Sequence, residues 1–321
     1  MADRRILITG VSGFVGRHLA AVLARLGDAG VYGTILSPQE VTEANPLPGV
    51  ELIECRLEDP ARIADAVRQA QPSVVYHLAA QSSVPRSLTD PEGTFQANVM
   101  GTLHLLQALR QAEGLQRVVL IGSAEVYGAL PESMLPANEN ALMDPSNPYA
   151  CSKACADMLG AQYFRTFHLP VIRVRPFNHI GPGQSPAFAA SAFARQIAEV
   201  EAGIRPPRIM VGNLDARRDF TDVRDVVRAY VLAAERCTPG EVYNICSGKA
   251  ISMREVLDGL IALSSTGMEV AQDPDRMRPS DIPVTLGDCS RFKSATGWSP
   301  QIPMDTTLKD LLDYWREQVF S

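Results

Sequence analysis

Arg5-Ile6-Leu7-Ile8-Thr9-Gly10-Val11-Ser12-Gly13-Phe14-Val15-Gly16 is the stretch that decides the fold. Its first five residues read as a short buried strand, its glycines as a tight turn, and the Ala- and Leu-rich run at 18–25 as the helix that follows. Glycines let the backbone turn sharply and approach a pyrophosphate, and the first N–H groups of a helix direct partial positive charge at it. Gly10, Ser12, Gly13, Phe14, Val15 and Gly16 are therefore the expected contacts of a dinucleotide at the first strand-to-helix junction.

Outward from this junction the same alternation continues. Residues 30–35, 50–55, 74–80, 117–121 and 171–176 read as further strands, and the apolar run at 74–80 suits the centre of a parallel sheet. The second strand should end beside the adenosine ribose, where an acid favours NAD and an arginine favours a 2′-phosphate. Thr34, Ile35, Leu36 and Ser37 supply neither; their small hydroxyls leave room for a phosphate, so NADP(H) is favoured and NAD(H) is tolerated. Asp59, before Pro60, has the position of a helix cap. Leu78, Ala79 and Ala80 close the fourth strand with space for a cofactor, and His77 within it reads as a core histidine.

Tyr149-Ala150-Cys151-Ser152-Lys153 carries the chemistry. If it begins a helix, as Pro148 and a capping Ser146 or Asn147 suggest, Tyr149 and Lys153 sit one turn apart on one face. An ammonium beside a phenol favours the phenolate, so Tyr149 is expected to titrate below the usual phenol value of about 10. Alone, the pattern is common on ordinary surface helices.

The Gly-x-x-Gly-x-x-Gly spacing after Thr9, with Ser123, Tyr149 and Lys153 following in that order, resembles the extended branch of the short-chain dehydrogenase/reductase family. The resemblance implies a doubly wound parallel Rossmann sheet with a smaller C-terminal substrate-binding lobe. Residues 1–175, with returning segments near 219–246, would form the NAD(P)-binding domain, and 176–321 mainly the nucleotide-sugar lobe. It further implies that Ser123, Tyr149 and Lys153 are catalytic, that Asp59 meets the adenine amine with Leu57 among the cofactor contacts, and that the helix at 99–112 pairs with the Tyr149 helix in a four-helix bundle joining a homodimer.

In the second half, Arg175-Pro176-Phe177-Asn178-His179-Ile180-Gly181-Pro182-Gly183-Gln184 is similar to the corresponding string of GDP-4-keto-6-deoxy-D-mannose reductases, which make GDP-D-rhamnose. So are the stretches at 217–227 and 242–248, Arg278-Pro279-Ser280-Asp281, and Thr296-Gly297-Trp298. A GDP-sugar needs planar cationic donors for its pyrophosphate. Arg218 and Arg278, with Asn178 at the end of the sixth strand, are the expected ones, and Val211 and Asn213 would approach the guanine. Each arginine alone is equally an ion-pair former, Arg218 beside Asp219 being an instance. Glu125 stands where related GDP-mannose 4,6-dehydratases carry a glutamate that removes a sugar proton, so dehydratase activity is an alternative. An epimerase, a 6-deoxytalose-forming reductase and a cofactor-sensing regulator complete the alternatives. Trp298 and the run at 308–315 have the spacing of packing residues.

Composition bounds the rest. The chain has 321 residues, 46% hydrophobic and 21% charged, with a net charge of -6 that gives no basic footprint for a nucleic-acid backbone. No apolar run approaches membrane-spanning length. The six cysteines, at 55, 151, 155, 237, 246 and 289, form no Cys-x-x-Cys pair, which favours a reduced cytoplasmic enzyme and no metal.

Overall fold

The computed structural model describes residues 4–27, 29–42, 46–277 and 282–320. Its first half runs β1 (Arg4–Thr9), α1 (Phe14–Leu26), β2 (Ala29–Ile35), β3 (Val50–Glu54), α2 (Pro60–Ala70), β4 (Val74–His77), α3 (Val84–Thr89), α4 (Pro91–Phe95), α5 (Gly101–Leu109) and β5 (Arg117–Ile121). There follow α6 (Pro148–Phe167), β6 (Val171–Pro176), β7 (Asn178–Ile180), α7 (Ala189–Glu201), β8 (Arg208–Val211), β9 (Arg217–Asp222) and α8 (Val223–Arg236). The chain ends with β10 (Val242–Ile245), β11 (Ala250–Ser252), α9 (Met253–Ala262), β12 (Glu269–Gln272), α10 (Ser290–Thr296) and α11 (Met304–Phe320).

Seven parallel strands form the main sheet in the order β10-β6-β5-β4-β1-β2-β3. Apolar runs such as Ile6-Leu7-Ile8 are buried because helices cover both faces. Leu19 and Leu23 of α1, Val226 and Tyr230 of α8, and Phe292 and Trp298 fill one side. Ile63 and Val67 of α2, Leu105 and Leu109 of α5, and Tyr163 of α6 fill the other. Strand order reverses between β1 and β4, so the loops leaving these strands converge. A Cβ on Gly10 would lie 2.8 Å from the Ala79 Cα, and its φ of +70° suits only glycine. This reversal is the place where an open parallel sheet admits a ligand.

A second core gathers α7, α9 and α11 around Ile197, Val256, Leu257, Leu260, Leu308 and Leu311. Beside it lie a three-stranded sheet, β11-β9-β7, and the pair β12-β8. The start of α8 ties the C-terminal segment down. Asp225 accepts from the Gln301 and Ile302 amides at 2.8 and 2.9 Å, and Asp222 accepts from the Thr307 hydroxyl at 2.8 Å. No described helix is long and apolar enough to cross a membrane.

Two helix starts differ from the sequence expectation. The helix expected at 99–112 begins already at Pro91, because Asp90 caps it by accepting from the Gly93 amide at 2.9 Å. A wide turn at Gln96–Met100 interrupts it and brings Asn98 inside. Likewise α1 starts at Phe14, directly on Gly13, and not at residue 18.

Candidate active site

Asn147 caps α6 by accepting from the Ala150 amide at 2.8 Å, and Pro148 takes the first helical position, where its missing N–H costs nothing. Tyr149 and Lys153 follow on the face turned to the end of β5. Lys153 is buried, 7% exposed, and its Nζ donates to the Ile121 carbonyl at 2.9 Å. Burial pulls the ammonium down to about 8. Tyr149 is pushed up to about 12 by burial, opposed by a hydrogen bond with Ser123 and reinforced by the nearby Glu125 carboxylate. The expected low phenol value is thus corrected. Removing the phenol from water outweighs its neighbours, and the Lys153 ammonium is aimed at a carbonyl. Ser123, at the end of β5, also accepts from the Glu125 amide at 3.2 Å, so it serves backbone and phenol together.

The glycine turn is built as a cradle. No side chain caps α1, whereas Asp59, Asn147, Asp222 and Ser252 cap α2, α6, α8 and α9. A Cβ on Gly16 would lie 2.4 Å from the Gly10 carbonyl oxygen, so only glycine lets α1 approach the turn this closely. Gly13 is exposed, with Ser12, Phe14 and Val15 half-buried around it. An uncapped helix start above an open glycine turn fits the pyrophosphate of a dinucleotide. Leu78, Ala79 and Ala80 are half-buried across the turn. Leu57 points into the core and its carbonyl accepts from His104 Nδ1 at 3.0 Å; Asp59 Oδ1 caps α2 through the Ala61 and Arg62 amides at 3.0 and 3.1 Å.

His77 is a core residue, bonded by Nδ1 to Thr9 Oγ1 at 2.8 Å and by Nε2 to Thr102 Oγ1 at 3.0 Å. Thr102 donates to the Asn98 carbonyl at 2.6 Å, so Nε2 carries the ring proton and Nδ1 accepts from Thr9. Asn98 in turn donates to Ser152 Oγ at 2.9 Å, and Ser152 donates to the Tyr149 carbonyl at 2.7 Å. One buried polar chain therefore runs from the glycine turn to the base of the Tyr149 helix. Sequence reading placed His77 in the core but missed this connection, which joins residues far apart in the chain.

Glu40 is also missed by sequence. The Ser37-Pro38-Gln39-Glu40 segment makes one tight helical turn after β2 and folds back. Glu40 Oε2 accepts from the Ser12 hydroxyl at 2.5 Å and from the Leu36 amide at 3.2 Å. The end of β2 is thus not free of acid. The signal was present, since Ser-Pro-x-Glu is a helix-start pattern that turns the chain.

Of the residues expected to meet the sugar nucleotide, Asn178 opens β7 and Arg218 lies on the neighbouring β9, half-buried, with Nη1 donating to the Ile282 carbonyl at 2.6 Å. Asp219 is buried and accepts from Ser247, Gly248 and Gly287 amides at 2.7, 3.0 and 3.2 Å, so its carboxylate anchors two loops. Val211 is buried in the second core, and Asn213 Oδ1 accepts from the Asp215 amide at 2.9 Å. Arg278 lies outside the described residues. Among the described residues no cluster of His, Cys, Asp and Glu is arranged to hold a metal.

Comparison with known proteins narrows the family. The family model described as GDP-mannose 4,6 dehydratase matches residues 7–311. GDP-6-deoxy-D-mannose reductase of Pseudomonas aeruginosa is 39% identical over 98% of this chain and 98% of that protein. The solved structure of RMD from Pseudomonas aeruginosa complexed with NADPH superposes with a TM-score of 0.85 at 36% identity, covering 98% of this chain and 100% of that one. UDP-glucose 4-epimerase of Thermus thermophilus, solved in complex with NAD, gives 0.86 at 29% identity, covering 97% and 99%. With its seven-stranded parallel sheet and matching length, the chain belongs to the GDP-mannose 4,6 dehydratase family of nucleotide-sugar enzymes, within the extended short-chain dehydrogenase/reductases.

Proposed function

We propose that the chain reduces the C4 ketone of GDP-4-keto-6-deoxy-D-mannose to GDP-D-rhamnose with a nicotinamide dinucleotide as reductant. The observation that carries this reading is the phenol of Tyr149, which keeps its proton at neutral pH and is hydrogen-bonded to Ser123 beside the end of β5. The full-length likeness to a GDP-6-deoxy-D-mannose reductase supports the substrate. A reduced nicotinamide, when bound, supplies the hydride. Tyr149 donates its phenolic proton to the C4 oxygen as the ketone becomes an alcohol. Ser123 hydrogen-bonds the same oxygen and fixes its position. Lys153 holds the nicotinamide ribose and offsets the charge left on the phenol.

Gly10, Ser12, Gly13, Phe14, Val15 and Gly16 would hold the pyrophosphate, and Leu78, Ala79 and Ala80 would lie along the dinucleotide. Asn178, Arg218 and Arg278 would meet the GDP pyrophosphate, and Val211 and Asn213 the guanine. The same reading divides the chain into a dinucleotide domain, 1–175 with returns near 219–246, and a sugar lobe from 176. The ground for preferring NADP(H) over NAD(H), an acid-free end of β2, no longer holds with Glu40 in place. Two copies would join through α5 and α6, where Met158 of α6 is 59% exposed, and the enzyme would work in the cytoplasm.

Glu125 favours a second reading. Its carboxylate acts on the Tyr149 phenol, which would suit removal of a sugar proton in a GDP-mannose 4,6-dehydratase. One pair of assays separates the two. NADPH or NADH consumed with GDP-4-keto-6-deoxymannose supports the reductase. Keto-sugar formed from GDP-mannose with oxidised cofactor, and no net cofactor change, supports the dehydratase in its place. NMR of the C4 configuration then distinguishes rhamnose from 6-deoxytalose.

A further inference from the structure

Away from the Tyr149 site, two free thiols meet. Cys246 follows directly on β10 and is fully buried, and Cys289 lies half-buried at the start of α10. They are hydrogen-bonded to each other, and both pack in the small cluster that holds Phe177. We propose that Cys246 and Cys289 are a peroxide-sensitive dithiol, which closes to an intramolecular disulfide and draws residues 282–289 toward β10. In a reducing compartment the pair rests as thiols, so the bond forms only when peroxide is present.

The arrangement gives the two sulfurs different roles. Cys246 donates to Cys289, and that bond raises the Cys246 thiol and lowers the Cys289 thiol, against the burial and the Asp219 carboxylate that push Cys289 up. The half-buried sulfur is the one that ionises. Its thiolate attacks one peroxide oxygen; the S–O bond forms, the O–O bond breaks, and the hydroxide that leaves is protonated to water. The Cys246 sulfur then attacks the Cys289 sulfenic acid, forming the S–S bond, and the departing hydroxyl takes the Cys246 proton and leaves as water. Two thiols are oxidised to one disulfide and the peroxide is reduced to two waters. The other four cysteines offer no such step. Cys55 and Cys237 are buried, their thiols pushed up to about 11 and about 12 by burial. Cys151 and Cys155 are also hydrogen-bonded to each other. They lie four apart on α6, however, where a helix holds Cβ atoms about 5–6 Å apart, beyond the roughly 3.5–4.5 Å that a disulfide spans.

Closing the bond shortens a contact between thiols to about 2.05 Å, and the neighbouring chain has little slack to absorb the change. A Cβ on Gly287 would lie 2.5 Å from the Phe177 ring and 2.7 Å from Cys246 Sγ. The segment that leads into Cys289 is therefore already pressed against both. The same segment carries the Ile282 carbonyl that holds Arg218, and the Thr285 hydroxyl that donates to Asn178 Oδ1 at 3.5 Å. On the proposed function, the disulfide acts on the GDP-sugar and spares the dinucleotide.

Hydrogen peroxide added to the reduced full chain, followed by alkylation of the remaining thiols and peptide mapping by mass spectrometry, tests the site without any substrate. The expected product is one peptide pair joined through Cys246 and Cys289, lighter by two hydrogens and separated again by dithiothreitol. Because the crosslink closes a long loop, the melting temperature should rise by a few degrees. Cys289→Ser should give no linked product, and Cys246→Ala should stop at a Cys289 sulfenic acid that dimedone traps. A different pairing, a link between chains, or further oxidation of Cys289 with Cys246 still free overturns the proposal. That result is read on the unaltered protein, so it does not depend on how either variant folds. In the oxidised protein KM for the keto-sugar should rise about threefold or more, and dithiothreitol should restore it. NADH affinity should stay within about twofold. An unchanged KM in fully oxidised protein overturns the displacement of 282–289. If neither form turns over the keto-sugar, the proposed reaction falls, and mapping and melting alone decide the dithiol.

Discussion

Residue by residue, the site is a set of groups held away from their ordinary ionisation by burial. Tyr149 keeps a proton that the proposed reduction would draw on, and Lys153 keeps a charge in a place where burial opposes it. The ammonium is therefore retained at a cost to the fold. Replacing it by an apolar side chain of similar length, Lys153→Met, should raise stability at pH 7 by on the order of 1 kcal/mol while lowering turnover at least about 100-fold, as urea unfolding and kinetics on the two proteins would register. His77 supplies a pH test. Its imidazole, buried between Thr9 and Thr102, is pulled down to about 3 by burial and then by Lys153. The unfolded chain takes up its proton near 6.5 and the folded chain does not, so this residue costs nothing above pH 6.5 and destabilises progressively as pH falls from there toward 3. Unfolding midpoints measured from pH 7 to 5 should fall by a contribution of about 1.4 kcal/mol per pH unit below about 6.5, which His77→Gln should remove. Sequence order made Ser123, Tyr149 and Lys153 legible as a group, because a strand end and a helix start are local features. The direction of the Tyr149 shift was not legible, since it depends on how much water the surrounding sheet and loops exclude.

Among the elements, strands were the readable part: five apolar runs became β2 to β6 within a few residues of their expected limits. Helix starts were less so, since they are decided by caps, and caps act one turn away from where the hydrophobic period begins. Asp90 extended one helix backward past Asn98, and Gly13 let α1 begin on the turn itself. Glu40 escaped for a related reason, because it belongs to no periodic element and matters only through where the chain folds back. Asp59 shows how a cap and a binding role are separated. With Oδ1 accepting from two amides at the start of α2, Asp59→Ala should cost about 1 kcal/mol of stability, and Asp59→Ser should restore most of it. If the carboxylate also meets the adenine, the serine variant should still bind NADH severalfold more weakly than the unaltered chain. Equal affinity for NADH in the serine variant and the unaltered chain would leave Asp59 as a cap alone.

Across the molecule, charge sets the problem. A chain of net charge -6 must take up two anionic nucleotides, so each pyrophosphate has to be met by local donors against the overall field. The two solutions differ. On the dinucleotide side the donors would be, on the proposed reading, backbone amides of an uncapped helix start, which carry no side-chain entropy. On the sugar side they would be, on the proposed reading, Arg218 and Arg278; Arg218 is held by the Ile282 carbonyl, four residues beyond Arg278 in the chain. A substitution at either arginine should then act on one nucleotide only. Arg218→Ala and Arg278→Ala are each expected to raise KM for the GDP-sugar by about tenfold or more, with Arg218→Lys intermediate because it keeps the charge but not the planar fork. The affinity for NADH, measured by titration in the absence of sugar, should stay within about twofold, since a loss above that would signal general unfolding. Added salt should weaken GDP-sugar binding in the unaltered chain more than in either alanine variant, because the ionic part of the attraction has been removed there. Equal weakening of sugar and dinucleotide in both variants would mean that these arginines hold the lobes together, and the pyrophosphate would have to be met elsewhere.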